Sequence, residues 1–240
     1  MFQRIKNFIY FNKLKNKYRK YGGVRPASDG HDMDEYYRWI REWSTLTVRN
    51  VVEIGANYGQ DAERLRYLFD LKQQDIYIFE AHPEIAEIAK KLFGFNTYQK
   101  AVFDEVKDVC LHAVHINDKN TGISTIMKKH AMKDTLLNQY NIQSIRIDRW
   151  MEQEKINYID FCKIDVEDAT YNVLAGFGDR IADVNAIQLE SEHENIYENG
   201  KLWPEIELFM EKNEFEMALF TRHASQSDSL WIKKKYLKNP

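Results

Sequence analysis

Residues 51–61 read Val51-Val52-Glu53-Ile54-Gly55-Ala56-Asn57-Tyr58-Gly59-Gln60-Asp61. A short apolar run carries Glu53 near its end, and a turn of small residues, Gly55 to Gly59, follows it. From Asp61 to Leu68 the apolar residues fall on one face of a predicted helix. Strand, glycine turn and helix in that order open a nucleotide-binding α/β unit, because glycines let backbone N–H groups approach a ligand closely. A second predicted strand, Ile76-Tyr77-Ile78-Phe79, ends in Glu80. An acid at that place accepts hydrogen bonds from both hydroxyls of a ribose.

The turn discriminates between ligands. A dinucleotide fingerprint wants G-x-G-x-x-G. Here the pattern is Glu-x-Gly-x-Asn-x-Gly, and Gln60 stands where small residues meet a pyrophosphate. A carboxylate at Glu53 repels phosphate but suits a cationic α-amino group. S-adenosylmethionine combines such an amine with a ribose and carries no phosphate. The competing reading is a purely structural glycine turn in an ordinary α/β protein.

The 240 residues predict one α/β domain, over 29–240, behind a basic amphipathic extension, 1–28. A hydrophobic fraction of 44% is ample for a core, and 34 basic against 37 acidic residues give no global attraction to nucleic acid. Cys110 and Cys162 lack metal-ligand spacing and suit a reducing, cytoplasmic compartment, with both as buried small hydrophobes. No apolar run approaches a membrane span, and no secretory leader is apparent. Before Asp29, however, eight Lys and Arg residues interleave with Phe2, Ile5, Phe8, Ile9, Phe11 and Leu14 without a single acid. Such a segment, bounded by Gly22-Gly23, either docks residues 1–22 on an anionic inner membrane surface or an acidic partner, or packs on the domain, or frays.

Downstream, Asp32 to Glu35 starts a helix that carries Tyr36, Tyr37, Trp39, Ile40 and Trp43. Pro83 starts another, closed by Gly94, and Thr97-Tyr98 leads a third strand toward Ala101-Val102. Residues 106–149 break the alternation. Predicted strands over 106–116, 122–126 and 142–147, around the turn at Asn117 to Asn120, form an inserted antiparallel piece or lid. The buried strand Phe161 to Ile164, a helix from Ala169 to Ala175 capped by Gly176, the strand Ala186 to Leu189, a helix from Pro204, and closing strands over 215–220 and 230–232 complete the chain. Ligands of such a sheet bind at the carboxyl ends of its strands, here Glu53, Glu80, Ala101-Val102, Asp165, Glu167 and Glu190.

The ordered set resembles the FkbM family of S-adenosylmethionine-dependent methyltransferases over roughly residues 48–195. It is carried by residues 52–59, Phe79 to Glu84, Ala101-Val102, Ile147 to Met151, Lys163-Ile164-Asp165-Val166-Glu167, Val173 to Gly176 and Gln188-Leu189-Glu190. The resemblance implies a class I methyltransferase, Rossmann-like fold with a seven-stranded sheet whose last strand is antiparallel. It implies O-methylation, commonly of sugars in glycans or of hydroxyls in secondary metabolites. It places S-adenosyl-L-methionine against Glu53, Gly55, Asn57, Gly59, Asp61, Glu80, Ala101, Val102 and Asp165. One stretch departs from the family: where its motif continues Gly-Ala-Glu, this chain has Asp168-Ala169-Thr170.

A sugar hydroxyl is a poor nucleophile until its proton is removed. The candidate bases are Asp165, Glu167 and His193, with Glu190 orienting another group. Converging carboxylates also suit a divalent cation, although none is expected. His112, His115 and His130 show no ligand spacing. Tyr98, Lys100, Ser124 and Thr125 are further candidates to face cofactor or substrate. Two other classes remain open: a non-catalytic S-adenosylmethionine-binding module, and a nucleic-acid methyltransferase, which the absence of an Asn/Asp-Pro-Pro-Tyr motif after the fourth strand and of a basic aromatic stripe beyond the N-terminus disfavours.

Overall fold

The computed structural model describes residues 33–114, 124–127, 137–194 and 200–238. The basic extension, the turn at Asn117 to Asn120, His115 and His130 lie outside them. Helix α1, Met33–Trp43, carries Asp34 and Glu35 in its first turn and Arg41 in its last, matching the helix dipole. It buries Met33, Tyr36 and Ile40, while Trp43 stays exposed. Strand β1, Val51–Ile54, leads through the glycine turn into α2, Gln60–Leu68. Then come β2, Ile76–Phe79; α3, Pro83–Phe93, closed by left-handed Gly94 as the sequence predicts; and β3, Asn96–Tyr98. After the insertion follow α4, Ile147–Gln153; β7, Phe161–Ile164; α5, Thr170–Ala175; β8, Ala186–Glu192; α6, Trp203–Lys212; β9, Phe215–His223; and β10, Gln226–Lys233.

The main sheet has seven strands in the order β3-β2-β1-β7-β8-β10-β9. Neighbours from β3 to β8 pair in parallel, and β10, the last strand in the chain, is antiparallel to both β8 and β9. This is the class I methyltransferase arrangement. Alternation along the strands feeds two cores. Val51, Phe161 and Leu230 pack with Tyr36, Ile40, Leu65 and Ile85, whereas Val52, Cys162 and Trp231 pack with Trp150, Leu174 and Met210. Successive strands leave β1 in opposite directions, so a crevice opens beyond the carboxyl ends of β1 and β7.

The insertion is a separate three-stranded sheet: β4, Ala101–Val102; β5, Asp108–Val114; and β6, Leu137–Ile145, in the order β4-β6-β5. Thr125 bridges to His112 of β5, so residues 124–127 lie along it. Three expectations are corrected here. Cys110, read as buried like Cys162, is exposed on β5. Ala101-Val102 belongs to this sheet and pairs with Ser144 and Ile145, instead of extending β3. The strand read through Ile147 stops at Ile145, and Ile147 opens α4, because Asp148 in the first turn binds Arg146 while Trp150 and Met151 go into the core. Gly176 caps α5 as the sequence predicts, without turning left-handed; it is glycine because a Cβ there would lie 2.6 Å from the Phe103 carbonyl oxygen. Among the described residues no helix is long and apolar enough to cross a membrane.

Candidate active site

The centre of the site is the turn after β1. All four residues of β1 are buried, between β2 and β7, so its end can carry a carboxylate into the interior; Glu53 is 1% exposed. The turn bends through positive φ at Gly55 (79°), Asn57 (49°) and Gly59 (74°). At Gly55 a Cβ would sit 1.8 Å from the Asp165 carbonyl oxygen. Only glycine lets the β1 and β7 ends come this close. The Gly55 and Ala56 N–H groups both donate to the Phe79 carbonyl at 3.0 Å, which ties the turn to the end of β2.

That tie brings Glu80 under the turn. Its carboxylate accepts the Asn57 N–H at 2.7 Å on one oxygen and the His82 N–H at 2.7 Å on the other. Glu80 is 8% exposed, and burial pushes its carboxyl up to about 7, against the pull of those two donors.

Glu53, Gly55, Asn57 and Glu80 line one cleft with Ala101, Val102 and Asp165, enclosing about 750 Å³ of atom-free space including its open mouth. The insertion closes the other side with Leu111, Ser124, Thr125 and Ile126, and Lys100 is also at the wall. The buried Thr125 hydroxyl donates to the Glu167 carbonyl at 2.9 Å and accepts the Met127 N–H at 2.9 Å, fastening the insertion to the turn after β7. Of the predicted cofactor residues, Gly59 and Asp61 are not in the wall. Gly59 opens α2 behind it, and Asp61 reaches inward to Lys163. Tyr98 also stands behind the wall, stacked on Phe79.

Lys163 is the residue that sequence reasoning left without a role. It is 3% exposed and its ammonium lies 2.8 Å from Asp165, 3.1 Å from Asp61 and 3.8 Å from Glu53. Burial alone would lower its proton affinity; Asp165, Asp61 and Glu53 together raise it well above the ordinary lysine value. Glu53 is therefore engaged by the chain's own cation and by the Ala62 N–H at 3.0 Å, while burial raises its carboxyl. A signal was present in the sequence: a lysine inside a buried apolar strand, two residues from Asp165 and so on the same face.

The turn after β7 takes left-handed backbone at Glu167 (φ 48°) and Asp168 (φ 73°). Asp168 thus keeps, as a non-glycine residue, the conformation that a glycine adopts freely, and aspartate tolerates it better than most. Burial, then Glu167, pushes its carboxyl up to about 7. Carboxylate oxygens of Glu167, Glu190 and Glu192 lie within 4.8 Å of one another. Gln226 donates to Glu190 at 2.5 Å and to Glu192 at 3.1 Å. Burial, followed by Asp165, Glu167, Asp228 and Glu192, pushes Glu190 up to about 9, so a proton on Glu190 relieves this crowding at neutral pH. His193 is not in this group. Its Nε2 is 2.9 Å from the Ser227 hydroxyl, which also meets Ser191, and its ring stacks on Trp203. Alternation along β8 carries Ser191 and His193 to the face opposite Glu190 and Glu192. Burial, then Arg222, lowers the His193 proton affinity.

The donor set fits S-adenosylmethionine: a turn that no Cβ could complete, a buried acid at the end of β2, and, among the described residues, no cluster of unpaired cations in the wall that would select a phosphate.

No curated protein sequence matches the chain. Among solved structures, methyltransferase FkbM from Methylobacillus flagellatus KT is similar with a TM-score of 0.51 at 10% identity, over 78% of this chain and 44% of that one. Magnesium protoporphyrin IX methyltransferase from Synechocystis PCC 6803, solved with bound S-adenosylmethionine, gives 0.47 at 12% identity over 91% of this chain and 90% of that one. The methyltransferase FkbM domain itself matches residues 53–217, from the β1 acid to β9, and the chain belongs to the FkbM methyltransferase family.

Proposed function

We propose that the protein is an O-methyltransferase whose acceptor is a hydroxyl of a sugar, a glycan or a related small molecule. Family membership makes S-adenosylmethionine the methyl donor. When bound, that cofactor supplies a methyl group made electrophilic by a sulfonium. The chain's part is to hold it, to align the acceptor and to remove the hydroxyl proton.

Asp165 is the observation that carries this reading. Its side chain is 39% exposed, it lines the cleft with Glu80 and Gly55, and Lys163 anchors one of its oxygens. It therefore combines access to an acceptor with a fixed position. Glu53 and Glu192 are buried, and burial with the acids around it raises the proton affinity of Glu190, which suits it to donate to a hydroxyl. Asp165 takes the acceptor proton in this reading, while Glu167 and Glu190 offer further hydrogen bonds to a polyhydroxyl ligand. His193 takes second place, because its ring lies across β8 and is bonded to Ser227. The left-handed backbone at Asp168 keeps the turn after β7 in the shape a glycine would give it, which favours a working site over a non-catalytic module. The same reading places the protein in the cytoplasm, with residues 1–22 contacting an anionic membrane surface or an acidic partner.

The test is incubation with S-adenosylmethionine and a panel of sugars, sugar nucleotides, glycan fragments and short nucleic acids, read by mass spectrometry. Gain of one methyl group on a hydroxyl of a carbohydrate supports the proposal. Methylation of nucleic acid, or turnover confined to amines, refutes it.

A further inference from the structure

Lys163 asks for an explanation that stability does not provide. Burying an ammonium with carboxylates is close to neutral for stability, since desolvation offsets the attraction, and an apolar side chain of similar volume serves a core at least as well. Yet Lys163 stands in β7 between Cys162 and Ile164, both fully buried. Pairing register puts it beside Glu53 of β1, and alternation puts it on the same face as Asp165. Asp61, from the first turn of α2, reaches the same ammonium. Two elements thus hold the lysine, and of its three partners Asp165 is the one most open to the cleft, with a side chain 39% exposed against 1% for Glu53.

Asp165 needs such a holder. Its charge raises the proton affinity of Glu53, Glu80, Glu190 and Asp228, acids of three other strands and the end of β2, and whichever of these is ionised repels it in turn. Among the described residues Lys163 is the one cation in ion-pair contact with it. Without that contact the carboxylate would turn toward solvent, away from its neighbours.

We infer that Lys163 is the positioning residue of the reaction: Glu53 and Asp61 fix its ammonium, and the ammonium fixes the Asp165 carboxylate toward the acceptor. The inference rests on the reading of Asp165 given above. It gives Glu53 and Asp61 a task that is complete before any ligand arrives.

Two charge-balanced double variants test it, since each removes one cation and one anion and leaves the net charge of the cluster unchanged. Lys163→Met/Asp61→Asn keeps Asp165 but releases it. Turnover is expected to fall about 10- to 100-fold, as for misplacement of a reacting group by an ångström, while affinity for S-adenosylhomocysteine, measured by calorimetry, stays within about threefold. Lys163→Met/Asp165→Asn is expected to be no slower than Asp165→Asn alone, because the lysine acts only through that carboxylate. A merely structural lysine would move melting temperature and leave the first variant's turnover near wild type. That result overturns the inference, and so does a second variant whose loss equals the product of the separate losses, or a first variant whose defect lies in cofactor affinity. If Asp165→Asn itself turns over normally, it is the assignment of the base that has failed, and the inference falls with it.

Discussion

Glu80, which we propose accepts the ribose hydroxyls of the cofactor, would link cofactor binding to pH. Its carboxyl is pushed from an ordinary 4.5 up to about 7 by burial, although two backbone N–H groups favour the ionised form. That displacement corresponds to about 3 kcal/mol between the two protonation states. A carboxyl raised in this way favours the folded state fully below pH 4.5, and that contribution is lost as pH climbs through about 7. Ribose binding runs the other way, because the hydroxyls donate to the ionised carboxylate. Affinity for S-adenosylhomocysteine should therefore rise about tenfold between pH 6 and pH 8, with most of the change around the Glu80 midpoint, and binding near neutrality should release protons. Glu80→Gln keeps the shape but turns an NH₂ group toward the Asn57 or His82 N–H, a clash of donors. It should bind more weakly by about 1–3 kcal/mol and lose the pH dependence. Calorimetry at three pH values in buffers of different ionisation enthalpy measures both effects, and the variant carries the background from the ligand's own amino group. Equal pH slopes in wild type and Glu80→Gln would refute the assignment of Glu80 to the ribose.

Two further predictions concern the scaffold. Gly55→Ala forces a Cβ against the Asp165 carbonyl at a positive φ, which should cost about 2–5 kcal/mol and lower the melting temperature by about 5–20 °C; a melt within experimental error of wild type contradicts the close approach of β1 and β7. Removing residues 1–22 should leave turnover on a small soluble acceptor intact and weaken co-sedimentation with anionic vesicles or with an acidic partner, whereas precipitation or a much lower melt of the truncated chain would make that segment part of the fold.

Much of this molecule is legible in its sequence, for reasons that differ between elements. The β1 turn is readable because glycines at 55 and 59 answer a local backbone demand, and the ends of β2 and β7 are readable because an acid follows a short apolar run. The start of α4 is not. Ile145-Arg146-Ile147 alternates like a strand, and the helix is decided by Asp148 binding Arg146 and by burial of Trp150 and Met151 in a distant core. The hairpin strands β9 and β10 run to His223 and from Gln226, well past their apolar centres, because cross-strand pairing carries polar residues along. At the site, sequence order put Asp165, Glu190 and His193 in one mouth, but the alternation of β8 sends His193 to the far face. Lys163 was hidden for the opposite reason: an apolar strand conceals a charge whose partners come from β1 and α2.

Turnover by Asp165→Asn, with the acceptor that the methylation screen identifies, tests the proposed role of Asp165 as the base. The substitution preserves size and removes a base and a charge, so a drop in turnover of roughly 100-fold or more is expected, with affinity for S-adenosylhomocysteine nearly unchanged. His193→Ala, across β8, should lose far less. Near-normal methyl transfer by Asp165→Asn would contradict the account and move the proton acceptor elsewhere in the cleft.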